Sequence, residues 1–235
     1  WHYVTVSDAN NCTAIDSIEV DVQDTIAPTV IIQSVTVFLD ASGSASIDTS
    51  DVNNGSFDNC AIDTMYLSNV SFDCSDTGSN TVTLYVADIN GNLDSATSTV
   101  TVIDTTAPTI SVNNVFTLYL NTSGSAAISI NSINDGTSDN CGIESLSLSD
   151  SLFDCSDTGS FSITFTATDF SGNVDTGSIS ITVLDTTLPT VATQNLTVYL
   201  NSSGFASVTA AMVNDGSFDN CSIDMMTKFD STGLD

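Results

Sequence analysis

The sequence predicts an all-β protein built from tandem immunoglobulin-like β-sandwich repeats arranged end to end, and three observations carry that prediction. The first is a period: Asp24-Thr-Ile-Ala-Pro-Thr-Val30, Asp104-Thr-Thr-Ala-Pro-Thr-Ile110 and Asp185-Thr-Thr-Leu-Pro-Thr-Val191 recur 80 and 81 residues apart. A fixed period marks an array of one structural unit. The second is that other blocks keep pace with it. Val35-Thr-Val-Phe-Leu-Asp40 returns as Phe116-Thr-Leu-Tyr-Leu-Asn121 and Leu196-Thr-Val-Tyr-Leu-Asn201, each followed shortly by Ser-Gly. Asn54-Gly-Ser-Phe-Asp-Asn-Cys60 returns as Asp135-Gly-Thr-Ser-Asp-Asn-Cys141 and Asp215-Gly-Ser-Phe-Asp-Asn-Cys221, and Phe72-Asp-Cys-Ser-Asp-Thr-Gly78 as Phe153-Asp-Cys-Ser-Asp-Thr-Gly159. The third is texture: short runs rich in Val, Ile, Thr, Phe and Tyr, divided by clusters of Gly, Asn, Asp and Ser, as in a sandwich of short strands.

The period divides the chain into four parts. Residues 1–23, with Tyr3-Val-Thr-Val-Ser-Asp8 and Ser17-Ile-Glu-Val-Asp21, read as the closing hairpin of a preceding repeat. Residues 24–103 and 104–184 are complete repeats. Within them Thr81-Val-Thr-Leu-Tyr-Val-Ala87 and Ser162-Ile-Thr-Phe-Thr-Ala167 alternate in period two. That places Val82, Leu84 and Val86, or Ile163, Phe165 and Ala167, on a buried face, with Thr toward solvent. The last strand of each repeat, near Ser98–Ile103 and Ile179–Leu184, runs straight into the next Asp-Thr-x-x-Pro segment. Proline fixes φ and restricts the residue before it, so this junction favours a stiff array. Residues 185–235 form an incomplete repeat, whose tail, Phe229-Asp-Ser-Thr-Gly233, departs from the Phe-Asp-Cys pattern.

Charge narrows the partners. The chain has 29 acidic residues against one lysine (Lys228) and no arginine, a net charge of -28, and among the acids only Glu19 and Glu144 are glutamate. Nucleic-acid phosphates and anionic lipid both need Lys and Arg, so neither is expected as a partner. No stretch approaches the length of a membrane span, so no membrane insertion is expected in these residues. Aspartate suits turns, and it is also a hard-oxygen ligand for calcium. Two readings of the excess stand together: solvation in a salty medium, and bound cations offsetting self-repulsion.

Each complete repeat holds two cysteines fourteen residues apart, Cys60 with Cys74 and Cys141 with Cys155, and one disulfide per repeat is expected. Closing a loop of about 15 residues stabilises by roughly 3 kcal/mol in the chain-entropy model. Thiolate metal ligation is the alternative, but His2 is the only histidine and no further ligand pair stands near. Disulfides point to an oxidising, extracytoplasmic compartment. Cys12 and Cys221 are left over, with partners expected outside these residues or in the tail.

Catalysis finds little support. His2 stands at the terminus, Ser-Lys chemistry would rest on Lys228 alone, and aspartates that repeat in every unit are unlike a carboxylate pair built once in one cleft. Calcium is the stronger candidate. Asp88-Ile-Asn90-Gly-Asn92-Leu-Asp94 and Asp169-Phe-Ser-Gly-Asn173-Val-Asp175 place oxygen side chains at alternate positions, a spacing that wraps a cation in tight loops. The other reading of these segments is a plain hairpin turn in which Gly supplies positive φ. A second acidic group would be gathered by the expected disulfides: Asp58 and Asn59 with Asp73 and Asp76, and Asp139 and Asn140 with Asp154 and Asp157. Asp24, Asp104 and Asp185 at the junctions could join such a site.

These blocks together, over residues 24 to about 222, resemble hyalin-type (HYR-like) immunoglobulin-like repeats. Tyr3-Val-Thr-Val-Ser-Asp-Ala-Asn-Asn-Cys-Thr-Ala14 resembles the ends of short repeats in giant cell-surface and gliding adhesins of Bacteroidota. The resemblance implies export by type IX secretion, long surface filaments, and O-glycosylation at an Asp-Ser/Thr motif, matched at every junction by Thr25, Thr105 and Thr186. The expected function is a stiff, calcium-stabilised spacer in a secreted cell-surface adhesin or filament, serving adhesion or gliding motility. Its expected partners are neighbouring repeats and other copies in a filament. A glycan-binding module and the stalk of a secreted enzyme are the alternatives.

Overall fold

The computed structural model describes residues 1–227; Lys228 and the tail at 229–233 lie outside the described residues. The chain divides into two compact units, Trp1–Thr106 and Ala107–Asp235.

The first unit opens with a hairpin of β1 (His2–Ser7) and β2 (Thr13–Ile18), paired from His2↔Ile18 to Ser7↔Thr13. The Asp8 carboxylate closes its turn by accepting the backbone N–H groups of Asn10 and Cys12. The complete repeat follows as β3 (Val35–Phe38), β4 (Ser44–Ser46), α1 (Thr49–Val52), β5 (Ile62–Leu67), β6 (Ser71–Asp73), a 3-10 turn η1 (Cys74–Asp76), β7 (Gly78–Asp88) and β8 (Leu93–Ile103). One sheet has the order β3-β8-β7-β5. In it β7 and β8 form a long antiparallel hairpin, and β3 pairs parallel to β8. The other layer is the β4-β6 pair, and isolated bridges join Thr29 to Phe57 and Ile32 to Asn53.

Alternation along β7 buries Val82, Leu84 and Val86, as the period-two pattern requires, and Val100 and Val102 of β8, Phe72 of β6, Val52 of α1 and the flanking Leu39 and Ile47 are buried in the same unit. Thr81 is exposed and Thr83 half-buried. Two apolar faces closed on one another are the architecture of an immunoglobulin-like sandwich.

The second unit repeats the order with β9 (Val115–Tyr119), β10 (Ser125–Ala127), α2 (Ile130–Ile133), β11 (Ile143–Leu148), β12 (Leu152–Asp154), η2 (Cys155–Asp157), β13 (Gly159–Asp169) and β14 (Val174–Leu184). Its sheets are β11-β13-β14-β9 and β10-β12. The core gathers Ile163, Phe165 and Ala167 with Ile133, Phe153, Ile179, Ile181 and Val183. Beyond Leu184 the described residues form bridges Thr190↔Phe218 and Thr193↔Asn214 and the short helix α3 (Ala210–Val213).

The cysteines do not join as their spacing suggested. Cys155 is bonded to Cys221, 66 residues further on, with their Cα atoms 5.2 Å apart, and so not to Cys141. Cys60 is a free thiol, as is Cys12, so a Cys60–Cys74 bond is absent too. Cys74 and Cys141 are each disulfide-bonded. The reason lies in the layers. Of the strands between Cys141 and Cys155, β11 pairs with β13 in one sheet and β12 with β10 in the other. Stacked sheets stand about 10 Å apart, beyond the usual Cα separation of a disulfide.

Candidate metal centre

The strand alternation that fills the core also builds the site. Following Val82, Leu84 and Val86, the next inward position at the end of β7 is Asp88, which is only 2% exposed. A buried carboxylate is costly unless its oxygens are partnered. Asp88 Oδ1 accepts the backbone N–H groups of Asn90 (2.9 Å) and Asn92 (2.8 Å), and Oδ2 accepts the Asn92 side-chain amide at 2.6 Å. Burial pushes the Asp88 carboxyl up, but these hydrogen bonds from Asn92 and Asn90 outweigh it and hold the group below its ordinary value. The group is therefore ionised at neutral pH.

Two further carboxylates converge on it. Asp24 begins the junction segment and accepts the Ile26 N–H on Oδ1 (3.0 Å), while Oδ2 accepts the Asn59 amide at 3.1 Å. The Ile26 N–H and then the Cys60 thiol are the main causes that hold Asp24 below the ordinary range. Asp58 follows the Thr29↔Phe57 bridge and uses Oδ2 to accept the Cys60 N–H at 2.8 Å. Its other oxygen, Oδ1, is buried without a hydrogen-bond partner. Asp24, Asp58 and Asp88 each offer an oxygen, all within 4.8 Å of one another. Oxygens on opposite sides of a calcium ion are about 4.8 Å apart, twice a Ca–O distance of about 2.4 Å, so the spread fits that ion. The Cys60 thiol is pushed up by its hydrogen bond to Asp24, by burial, and by the charges of Asp24, Asp58 and Asp88. A protonated thiol of this kind is neither a nucleophile nor a metal ligand.

The same local design recurs. In the second unit Asp169 is fully buried at the end of β13, accepting the N–H groups of Ser171 and Asn173 on Oδ1 and the Asn173 amide on Oδ2. Asp139 Oδ1 accepts the Cys141 N–H at 2.8 Å, leaving Oδ2 buried and unpartnered. Asp104, the equivalent of Asp24, is 5% exposed and accepts the Thr106 N–H. Further along, Asp185 accepts the Thr187 N–H and the Asn220 amide, and its main restraint, the Asn220 hydrogen bond, keeps it below the ordinary range. Asp219 Oδ2 accepts the Cys221 N–H while Oδ1 is buried without a partner.

Other residues expected at a metal are used locally. Asp73 and Asp76 form a capping box on η1, as Asp154 and Asp157 do on η2. Asp94 and Asp175 accept only the N–H of the following residue. Asn90 enters through its backbone N–H, and Asn59, Asn92 and Asn173 turn amide N–H groups toward carboxylates. Asn140 Oδ1 is buried. The alternating Asp-x-Asn-x-Asn-x-Asp spacing therefore folds as a hairpin turn around Asp88. Asp219 and Asn220 were missed as site residues, although the repeated Asp-Asn-Cys block marks them.

No protein-family model matches the chain, and no curated protein matches it. Among solved structures, it is similar to protocadherin gamma B7 extracellular cadherin domains 1–4, at 11% identity and a TM-score of 0.31, covering 83% of this chain and 59% of that one. It is similar to mouse cadherin-23 EC22-24 (14% identity, TM-score 0.36, 71% of this chain and 70% of that one). It is also similar to the titin I-band fragment I67-I69 (13% identity, TM-score 0.36, 72% and 69%). The chain spans little more than half of the protocadherin fragment.

Proposed function

We propose that this chain is a run of structural repeats from an extracellular adhesin or surface filament, with boundaries at Asp24, Asp104 and Asp185, stiffened by calcium held between carboxylates. The observation that carries the reading is the orphaned oxygen of the Asp-Asn-Cys aspartate, buried without a partner at Asp58, Asp139 and Asp219 alike. Three repeats that each bury an acceptor and supply no donor are built for a cation, and no Lys or Arg is present among the described residues. In the first complete repeat Asp24, Asp58 and Asp88 would hold the ion, and Asp139 and Asp169 of the second unit repeat the roles of Asp58 and Asp88. Calcium here supplies positive charge and rigidity, not catalysis.

The disulfides support an oxidising, extracellular setting. The exposure of Thr25, Thr105 and Thr186 at the junctions is compatible with O-glycosylation there. A gliding adhesin exported by type IX secretion is the finer reading, and it rests on the resemblance of the repeat blocks.

Thermal melting with and without chelator is the test. Calcium at about a hundred times its Kd would add about 2.7 kcal/mol, which raises Tm by roughly 10–20 °C in a domain of about 80 residues. Asp88→Asn keeps the acceptor for the Asn90 and Asn92 N–H groups but removes the charge. It should shrink the calcium-induced rise in Tm because the first site loses a charged ligand, and the chelated variant should itself melt below wild type because its amide meets the Asn92 amide where Oδ2 had accepted it. Identical melting of chelated and calcium-loaded wild-type protein would overturn the calcium reading.

A further inference from the structure

The bond between Cys155 and Cys221 is not a staple within one period of the sequence: Cys155 belongs to the Phe-Asp-Cys block of one repeat and Cys221 to the Asp-Asn-Cys block of the next. The surrounding contacts show two fitted surfaces. Asp219 fixes the Cys221 loop by accepting its N–H, and the Asn220 amide donates both to Asp185 of its own repeat (3.0 Å) and to the Asn121 carbonyl of the repeat before (3.1 Å). Beneath it lies the turn from Asn121 to Ser125. There Gly124 has φ +73°, and a Cβ added to it would stand 2.7 Å from both the Asn220 carbonyl oxygen and the Cys155 sulfur. The Ser-Gly pair that recurs after each early strand thus leaves room for a neighbour. At Gly204, the equivalent in the last repeat, φ is +82° and a Cβ would meet nothing within 4 Å.

We propose that the Asp-Asn-Cys loop is a plug, that the Ser-Gly turn and Phe-Asp-Cys cysteine of the preceding repeat are its socket, and that the disulfide between them carries tension around the peptide junction. Strands β13 and β14 and the Asp185 junction all lie between Cys155 and Cys221 in the sequence. A pull on the two ends of the chain enters this loop at Cys155 and leaves it at Cys221. The hairpin that fills the core is then out of the line of force, and the proline-containing junction cannot be drawn out. Cys60, the plug cysteine of the first complete repeat, carries a free thiol.

Single-molecule pulling of the whole chain under non-reducing conditions tests the idea, comparing wild type with the Cys155→Ser/Cys221→Ser double variant. A loop of 66 residues hides about 240 Å of contour at about 3.6 Å per residue, so the double variant should extend further by that amount. Final contour length does not depend on whether the variant folds stably. A gain of only about 50 Å, the length of the fourteen residues from Cys141 to Cys155, would show a bond within the repeat and overturn the proposal. Equal extension of the two proteins would overturn it as well. Peptide mapping without reductant should recover Cys155 joined to Cys221.

Discussion

At the scale of single residues, position in a repeated block decides what an aspartate does. Asp88 takes the inward slot that a fourth apolar side chain would occupy on β7, and its hydrogen bonds hold it charged there. Asp58 spends one oxygen on the Cys60 N–H and keeps the other buried, whereas Asp73 spends its own on the Ser75 N–H and hydroxyl of a cap. Glycine is as position-specific. Gly124→Ala and Gly204→Ala carry the same penalty for positive φ, of about 1 kcal/mol or more. Only the first adds a clash with Asn220 and Cys155. Urea denaturation should therefore show Gly124→Ala clearly less stable than Gly204→Ala. Equal losses would mean that the turn at Gly124 is not fitted to its neighbour.

At the scale of elements, short caps link the fold to pH. Asp48 caps α1, while Asp73 and Asp154 cap η1 and η2. Each is held below the ordinary value of 3.8, first by a serine hydroxyl (Ser50, Ser75 or Ser156) and then by the same serine's backbone N–H. A carboxyl whose folded value lies below its unfolded one contributes stability that is complete above the unfolded value and is lost as pH falls through the folded value. In about 1 M monovalent salt, where a Debye length of about 3 Å screens the repulsion among the carboxylates, stability measured by urea titration should thus be flat from neutral pH to about 5 and fall below about 4. Stability that rises between pH 4 and 3 would contradict the capping roles. These caps were hidden in the Phe-Asp-Cys-Ser-Asp blocks, because an Asp that closes a turn and an Asp that binds a metal have the same letter. What separates them is whether a backbone N–H or a second strand comes within reach.

At the scale of the whole molecule, a net charge of -28 opposes the compact state. Raising monovalent salt from 0.01 M to 0.15 M shortens the Debye length from about 30 Å to about 8 Å, so Tm should rise over that range even with chelator present. A Tm that does not respond to salt would show that the carboxylates are too far apart, or too well solvated, to repel. The period, the alternation of Val82, Leu84 and Val86 and of Ile163, Phe165 and Ala167, and the turn residues were sufficient by themselves to specify immunoglobulin-like repeats. Each is a local rule of strand geometry that needs no distant partner. The carboxylates of the site were legible as residue types, but their grouping was not. The expected Cys60–Cys74 disulfide would have drawn Asp58 to Asp73; with Cys60 a free thiol, Asp58 instead lies with Asp24 and Asp88, from a junction and a strand end far apart in sequence. The cysteines show the same limit most plainly. Fourteen residues look short enough to close, yet the chain crosses between two layers within them, and Cys155 finds its partner 66 residues away. Contacts set by the stacking of layers are decided only when the whole sandwich is assembled.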